Sequence, residues 1–315
     1  MTGPVDKRHR TGGAEAGGRD DRSYLIAGAR LAAPPARAGL HVVATPIGNL
    51  GDITLRALET LAGADVIACE DTRVSSRLLA RYGLRVPLLP YHEHNAAEMR
   101  PRLLGRLAEG ASVALISDAG TPLVSDPGFR LVREAIAAGV HVEAVPGPSA
   151  LLAAMVVSGL PTDRFLFEGF LPPKQVGRLA RLSELAAVPA SLVMFETGPR
   201  LADSLADMAT ALGGARPAAV CRELTKLHEE VRRGTLAELA AATVGLEPRG
   251  EIVVVVGPPL PAAAPAEADI DSALAAALAG ASLKDAAAEV AAAFGLPRRT
   301  VYQRALDLTK GHKDG

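Results

Sequence analysis

The chain has 315 residues, of which 49% are hydrophobic, 22% charged and 3% aromatic, and its formal net charge is −1 at pH 7. This length allows two domains with extensions, and the balanced charge excludes capture of nucleic acid by a global field, so RNA binding requires local basic patches. The low aromatic content argues against a stacking platform for single strands.

The first 38 residues differ in composition from the rest of the chain. Residues 1–38 are rich in Gly, Arg and Asp, contain a Pro–Pro pair and lack a sustained apolar period. This composition predicts a disordered extension, and the segment lacks the apolar region of a signal peptide. Because no stretch reaches about 18 continuous apolar residues, no membrane span is predicted, and we expect a cytoplasmic protein.

From residue 39 onwards, apolar strands alternate with helical segments. The first set comprises the strands LHVVAT, ADVIACE, VPLLPY, ASVALIS and VHVEAV, with helices near 53–62, 72–82, 95–109 and 127–138. The second comprises RFLFEGF, ASLVMFE, AAVCREL and EIVVVV, with helices near 174–187, 199–213 and 235–243. The alternation in the first set favours a mostly parallel sheet covered by helices. We predict two α/β domains, 39–155 and 156–258, with a cleft between them.

The remaining residues form a proline-rich segment and a helical tail. Residues 259–268 are predicted to be a linker, because spaced prolines favour neither helix nor sheet. Residues 269–315 are predicted to form a small helical domain, in which Ser282 and Gly295 cap one helix. An alanine-rich helix, a glycine turn and a basic helix follow one another as in a helix-turn-helix. RNA contact and plain packing of an alanine-rich tail both fit this pattern.

Three loops rich in Gly and Pro follow predicted strands. They are TPIGNLGD after the first strand, SDAGTPLVSDPG after ASVALIS, and PGPSA after VHVEAV. In open α/β sheets the ligand crevice lies beyond the carboxyl ends of the strands, where these loops are expected. Gly120 has no Cβ to obstruct a ligand, and Asp118 and Asp126 offer carboxylates. The three loops are therefore predicted to converge on one ligand.

These loops belong to a longer ordered series of motifs. TPIGNLGDIT, ACEDTR, YHEHN, ISDAGTPLVSDPG, PGPSA, FEGFLPPK, CRELTKLHEE and GEIVVVV occur in this order. In them the chain resembles the bacterial small-subunit ribosomal RNA (cytidine-2′-O)-methyltransferases of the tetrapyrrole methylase superfamily. One departure is FETGPR, in which Pro199 stands where the family usually has His.

The resemblance implies a fold, a reaction and partners. The implied fold class is α/β, with two α/β domains of the tetrapyrrole methylase type, an interdomain cleft and a small C-terminal helical domain. The implied reaction is transfer of a methyl group from S-adenosyl-L-methionine to the ribose 2′-oxygen of a cytidine in the decoding region of 16S ribosomal RNA. The implied substrate is the ribosomal RNA or the assembled 30S subunit, and the implied assembly is a homodimer.

The resemblance also places a cofactor site at the three strand-end loops. The predicted cofactor-binding residues are Pro46, Gly48, Asp118, Ala119, Gly120, Thr121, Ser149 and Ala150. The alternative is that these glycines and prolines only shape turns. In-line methyl transfer depends on alignment of the reactants, so no metal site is predicted.

A ribose hydroxyl is a poor nucleophile and needs help to lose its proton. Asp71 of ACEDTR follows a strand, where it can accept a proton or bind ribose hydroxyls; the alternative is that it caps the next helix. Lys226 of RELTK can act as a base if its pKa is depressed, or as a charge that steadies the developing alkoxide. Asp71 and Lys226 are the predicted catalytic residues.

Two basic groups are candidates for RNA contact. Arg73, Arg77 and Arg81 recur every four residues and so share one helix face. Lys174 and Arg178 follow FLPP beside the expected cleft. A solvated face is the alternative for such spacing, but two patches beside a predicted active site favour phosphate contact.

Other functions stay open at this point. The same fold can serve a methyltransferase of corrins or other tetrapyrroles, or of a protein side chain, and a nucleotide-binding adapter without catalysis is a third reading. A nicotinamide dehydrogenase is disfavoured, because no G-x-G-x-x-G follows the first strand.

Overall fold

A computed structural model describes residues 22–123, 128–261 and 266–311. The chain divides into two compact units, one up to Pro259 and the other from Leu260. The first contains both sheets of the α/β region. The boundary expected near residue 155 and the limits of the linker stay predictions. Asp126, which was expected to offer a carboxylate, lies outside the described residues.

The described chain begins with an antiparallel hairpin, β1 (Ser23–Ile26) and β2 (Ala29–Ala32). The backbone N–H of Leu25 donates to the carbonyl of Tyr82 over 2.7 Å, which fixes the hairpin to the first domain. The prediction of a disordered extension is therefore wrong for residues 22–38. Ladder hydrogen bonds and this anchor stabilise a segment whose composition shows no apolar period. Residues 1–21 of that prediction lie outside the described residues.

The first sheet has five strands in the order β5-β4-β6-β3-β7, and every neighbouring pair is parallel. The strands are β3 (Gly39–Val43), β4 (Val66–Cys69), β5 (Leu88–Pro90), β6 (Ser112–Ile116) and β7 (Val142–Val145). The helices between them are α1 (Leu55–Gly63), α2 (Thr72–Arg81), α3 (Ala96–Ala108) and α4 (Phe129–Ala137). Strands β4 and β6 are buried along their whole length, as expected where helices cover both faces of a parallel sheet.

The second sheet also has five strands, in the order β11-β10-β12-β9-β8. They are β8 (Phe165–Phe170), β9 (Ser191–Thr197), β10 (Pro217–Arg222), β11 (Glu230–Thr235) and β12 (Glu251–Val256). Only β8 and β9 pair in parallel; the other pairs are antiparallel. The sequence did not predict β11, because EVRRGT is an edge strand without a continuous apolar run.

Helices cover the two faces of this second sheet. They are α5 (Ala150–Ser158), α6 (Gln175–Leu185), α7 (Gly198–Leu212) and α8 (Leu236–Thr243). One face packs against α6, α7 and α8 through residues such as Met194 and Val254. The other face packs against α5 through residues such as Val193 and Val253, and Ile47 from the first domain joins this core. The two α/β layers thus share a core next to the strand-end loops.

The second unit is helical. It contains α9 (Glu267–Leu278), α10 (Leu283–Phe294) and α11 (Arg298–Gly311). The hydroxyl of Ser282 accepts the N–H of Asp285 over 3.3 Å, and Gly295 is left-handed with φ +65°, so both predicted caps of α10 are present. Within the described residues, no helix combines the length and apolarity needed to cross a membrane.

Candidate active site at the strand ends

The three strand-end loops are joined directly to one another. Thr45 and Gly120 exchange backbone hydrogen bonds of 2.9 and 3.0 Å, and the Thr121 hydroxyl donates to the carbonyl of Pro148 over 3.2 Å. Gly120 has φ +77°, and a Cβ there would lie 3.3 Å from Cγ2 of Ile47. A left-handed conformation beside a packed side chain explains why glycine occupies this position. The predicted convergence of the loops is present in the structure.

A cavity of about 270 Å³ opens where these loops meet the second sheet. Its walls are mainly backbone and apolar side chains. From the first domain and α5 they are formed by Ile47, Ala119, Gly120, Thr121, Ser149 and Ala150, and from the second domain by Phe170, Phe195, Glu196, Thr197, Gly250, Glu251, Ile252 and Val253. Small residues on one side and aromatic residues on the other leave a slot between the two sheets.

Most, but not all, of the predicted cofactor residues line this cavity. Those that do are Ala119, Gly120, Thr121, Ser149 and Ala150. Pro46, Gly48 and Asp118 are not among the described residues that line it. Gly48 contacts Lys226 instead, because a Cβ at Gly48 would lie 2.9 Å from Cε of Lys226. Asp118 faces the ACEDTR turn, where its Oδ1 accepts the backbone N–H of Asp71 over 3.0 Å.

Asp71 caps α2, as the alternative interpretation of ACEDTR expected. Its Oδ1 accepts the backbone N–H of Arg73 over 2.7 Å, and its Oδ2 accepts from the Arg73 guanidinium over 2.6 Å. The hydrogen-bonded guanidinium of Arg73 is the main reason that the pKa of Asp71 falls to about 2. A carboxylate of such low basicity, with both oxygens engaged, is a poor proton acceptor. This geometry supports the capping role of Asp71, and a role as general base stays a prediction.

The surroundings of Asp118 shift its pKa upwards, whereas those of Asp71 shift its pKa downwards. Partial desolvation of its carboxyl raises its pKa, and the neighbouring charge of Asp71 adds to this, although the hydrogen bond from the Asp71 N–H lowers it. Asp118 is exposed and immediately precedes Ala119, which lines the cavity. Asp118 is therefore more basic than Asp71.

Lys226 is held as a cation between two carboxylates. Its Nζ donates to Glu223 Oε1 over 2.7 Å and to Glu251 Oε2 over 3.0 Å. Burial lowers the pKa of Lys226, but the hydrogen bonds and charges of Glu223 and Glu251 outweigh burial, so the pKa is raised. The raised pKa does not support Lys226 as a base, whereas a fixed positive charge agrees with this geometry.

The turn that carries Lys226 is strained. Glu223 and Thr225 have left-handed backbones, with φ +51° and +67°, which non-glycine residues rarely adopt. The backbone N–H of Asn49 donates to the Thr225 hydroxyl over 3.2 Å, which ties this turn to the first strand-end loop. Strain of this kind persists where the surroundings fix the backbone, and it is concentrated at functional sites.

The carboxylates around Lys226 depend on a glycine that precedes β12. Gly250 has φ +102°, and a Cβ there would lie 2.6 Å from Cγ of Glu223. Glu223 Oε1 also accepts the backbone N–H of Glu251 over 3.0 Å. Glu251 was not predicted as a site residue, because in the sequence it is only the first residue of the apolar strand EIVVVV.

Glu196 is a buried carboxylate in the cavity wall that was not predicted as a site residue. It accepts the backbone N–H of Thr197 over 2.8 Å and the hydroxyl of Ser204 over 2.5 Å, and it pairs with Arg200 over 3.3 Å. Pro199 lies in the first turn of α7, where proline fits because that N–H needs no helical partner. The departure from the usual His is thus compatible with the helix start.

The residues predicted to contact RNA divide into two groups. Arg73, Arg77 and Arg81 are exposed on α2, and Lys174 is exposed at the start of α6. Arg178 is only 4% exposed, and its guanidinium pairs with Asp207 over 2.7 Å. RNA contact by Arg178 is therefore wrong, because the side chain is buried and its charge is compensated inside the domain.

Comparison with known protein families gives two matches. Residues 39–240 match the family described as Tetrapyrrole (Corrin/Porphyrin) Methylases. Residues 264–309 match the RsmI C-terminal HTH domain, which agrees with the helix-turn-helix pattern of α10 and α11. Together these matches span both compact units.

Curated relatives cover almost the whole chain. A protein of Mesorhizobium japonicum named ribosomal RNA small subunit methyltransferase I is 55% identical over 294 residues, covering 92% of this chain and 100% of the relative. Proteins of the same name are 48% identical in Pseudomonas aeruginosa and 43% identical in Escherichia coli O157:H7, each over 85% of this chain and over 96% and 94% of the relative.

Solved structures resemble the chain in fold. A diphthine synthase superposes with a TM-score of 0.55 at 20% identity, over 69% of this chain and 89% of that one. A cobalt precorrin-4 methyltransferase gives a TM-score of 0.54 at 21% identity, over 69% of this chain and 94% of that one. At this level of identity the similarity establishes the architecture alone.

Proposed function

We propose a function from the premise that this chain belongs to the tetrapyrrole methylase family and, within it, to the small-subunit ribosomal RNA methyltransferases. It is an enzyme that methylates small-subunit ribosomal RNA with S-adenosyl-L-methionine as donor. The finer proposal is that the accepting atom is the ribose 2′-oxygen of a cytidine in the decoding region.

The single observation that carries this proposal is the cavity at the strand ends. It lies where open α/β sheets bind ligands, and its volume of about 270 Å³ is close to the lower end of the range for small-molecule sites. The donor fits this site, since the small residues Ala119, Gly120 and Ala150 line one wall, while Phe195 and Val253 offer apolar surface on the other. When bound, S-adenosyl-L-methionine supplies an activated methyl group for in-line displacement, which needs no metal.

Lys226 would stabilise the negative charge that develops on the attacking oxygen. Its raised pKa keeps it protonated, and Glu223 and Glu251 fix its position. A preorganised cation at a developing alkoxide lowers the barrier without reorganisation during the reaction. Gly48 supports this role, because it makes room for the Lys226 side chain beside the first loop.

Asp118, rather than Asp71, would receive the ribose proton. Its raised pKa makes it the better acceptor, and it adjoins the cavity residue Ala119. Asp71 then has a positioning role, since its backbone N–H binds Asp118 and its carboxylate holds the Arg73 guanidinium. Thr121 and Ser149 line the cavity and are proposed as donor contacts, whereas Pro46, Gly48 and Asp118 lie outside its lining.

RNA would meet the protein along α2 and at the start of α6. The exposed side chains of Arg73, Arg77, Arg81 and Lys174 support this proposal. Contacts of this kind bind phosphates and position the substrate without selecting a sequence. The sequence selectivity of the enzyme must therefore arise elsewhere, nearer to the reacting nucleotide.

Two finer proposals concern assembly. We propose that the assembled 30S subunit is the substrate and that the protein acts as a homodimer. Exposed apolar side chains on and near α5 support the dimer: Leu152 is 52% exposed, Val156 79% and Leu227 93%. Leu152 and Val156 line a groove together with Leu224 and Thr225, and exposed apolar surface of this kind marks an interaction site.

The test is methyl transfer from labelled S-adenosyl-L-methionine to small subunits from cells that lack this protein, followed by nucleoside analysis. Label in 2′-O-methylcytidine is the expected result. Label in another nucleoside would overturn the cytidine proposal. No label in RNA, with donor binding intact, would instead favour a tetrapyrrole or protein substrate, and turnover of none of these would favour a binding adapter.

A further inference from the structure

Three of the six phenylalanines of this aromatic-poor chain meet at the cavity. The rings of Phe167 and Phe195 have centroids 4.9 Å apart at 67°, and those of Phe170 and Phe195 are 5.7 Å apart at 65°. Phe170 and Phe195 line the cavity, and Phe170 remains 52% exposed. The cluster therefore supports one aromatic ring whose outer face is open at the mouth of the site.

A β-bulge places Phe170 on this side of the sheet. In β8, Phe167 pairs with Val193 of β9 and Gly169 pairs with the next residue, Met194, so Glu168 is an extra residue in the ladder. Gly169 has φ +75°, the left-handed conformation that such bulges use. In a regular strand, Phe167 and Phe170 would lie on opposite faces, because the side-chain period is two. The bulge reverses the alternation, so that both rings contact Phe195.

The position of Leu166 and Glu168 confirms which face Phe170 would otherwise occupy. Leu166 packs against the core under α6 and α7, and Glu168 pairs with Arg181 of α6 over 2.6 Å. Without the bulge, Phe170 would continue that row and be covered by helix. Bulges next to active sites re-aim side chains, and here the re-aimed side chain is half-exposed in the site.

We propose that Phe170, held edge-on by Phe195, is a stacking surface for a planar nucleobase at the mouth of the cavity. This inference rests on the proposed function, which brings two such bases to the site: the adenine of the methyl donor and the base of the target nucleotide. Stacking on an exposed aromatic face recognises both by the same chemistry. The low aromatic content of the chain does not exclude such a surface, because one ring is enough for one base.

The experiment compares Phe170→Leu with Phe165→Leu. Both changes remove an aromatic ring from β8 and keep apolar bulk. Phe165 is 42% exposed at the opposite end of the strand and is not among the cavity residues, so it is a matched control. Phe170→Trp keeps an aromatic face and tests rescue. Binding of S-adenosylhomocysteine by calorimetry probes the adenine, and KM for 30S subunits probes the target base.

The expected result for Phe170→Leu is a loss of about tenfold in one of these two quantities, within the range for removal of a stacking ring. Weaker S-adenosylhomocysteine binding assigns the surface to adenine, whereas a raised KM for subunits with unchanged S-adenosylhomocysteine binding assigns it to the target base. In either case Phe170→Trp is expected to recover the wild-type value, and Phe165→Leu is expected to keep it.

Equal behaviour of Phe170→Leu and Phe165→Leu in both measurements would overturn the proposal. Loss in Phe170→Leu that tryptophan does not restore would also overturn it, since that pattern indicates packing rather than stacking. Failure of the proposed function is a separate outcome, because it is shown by wild-type protein that methylates no cytidine, whatever the variants do.

Discussion

Gly48 and Lys226 are in direct contact, although they belong to different α/β domains. A Cβ at Gly48 would lie 2.9 Å from Cε of Lys226 and nearer still to its Cγ. The first strand-end loop therefore packs against the aliphatic part of the lysine side chain, while the carboxylates hold its Nζ. The position of the Lys226 charge, which is proposed to be catalytic, therefore depends on Gly48 having no side chain.

Gly48→Ala is expected to displace Lys226 and lower kcat by about 100-fold, the order of loss that a misplacement of about 1 Å produces. Donor affinity should be unchanged, because Gly48 does not line the cavity. Steady-state kinetics with 30S subunits and calorimetry with S-adenosylhomocysteine measure the two effects. Gly105→Ala is the control, since no atom lies within 4 Å of a Cβ added there. Normal kcat in Gly48→Ala would show that the contact is dispensable.

Lys226→Met is expected to lower kcat by about 10²–10³-fold, as removal of one group that stabilises an oxyanion does. Lys226→Arg should keep measurable turnover, because a guanidinium supplies the same charge. The readout is kcat between pH 6 and 9. A base with a depressed pKa would instead leave the arginine variant inactive over the whole of that range, and this result would contradict the proposed role.

The Lys226–Glu223 pair also has a predictable effect on stability. The pKa of Glu223 is lowered, first by the Lys226 hydrogen bond, from its usual value of 4.5, and the pKa of Lys226 is raised from 10.5. The stabilisation is therefore complete between these values; it is lost as pH falls through the lowered pKa of Glu223 or rises through the raised pKa of Lys226. The Tm difference between wild type and Lys226→Met should be constant from pH 6 to 9. A steady change across that interval would refute this assignment.

Asp71→Asn is expected to leave kcat close to that of wild type, because asparagine caps helices as well as aspartate does. The KM for subunits should rise moderately, since Arg73 loses its partner.

Asp118→Asn should lower kcat by about 10²-fold or more through loss of the proton acceptor. Because the pKa of Asp118 is raised, wild-type kcat should increase as pH rises through that pKa. If kcat collapsed in Asp71→Asn and not in Asp118→Asn, Asp71 rather than Asp118 would be the general base.

Arg178→Ala is expected to destabilise the protein by about 3–5 kcal/mol, because it leaves the buried carboxylate of Asp207 without its partner. The Tm should then fall by about 6–20 °C, as measured by thermal denaturation. Lys174→Ala should leave Tm unchanged and reduce the salt dependence of RNA binding by about one unit of slope. Equal Tm values for the two variants would mean that the Arg178–Asp207 pair contributes nothing to stability.

Local patterns were sufficient to predict most of the architecture. Strands β4, β6 and β12 are short continuous apolar runs, and a run of that kind is typical of a buried strand whatever surrounds it. The caps Ser282 and Gly295 were predictable for the same reason, since a cap depends on residues within one helical turn. The hairpin β1–β2 and the edge strand β11 escaped prediction, because their stability comes from ladder partners rather than from their own periodicity.

The sequence by itself determined the order of most strands and helices, the three strand-end loops and the family, because each depends on residues that are neighbours along the chain. Only the tertiary structure decided the protonation, the burial and the side-chain direction of the site residues. Glu251 binds Lys226 and keeps it protonated, and Asp207 pairs with Arg178 inside the domain. The bulge at Gly169 places Phe170 on the cavity side of the sheet. Protonation, burial and side-chain direction depend on partners that are distant in sequence, and no local pattern contains them.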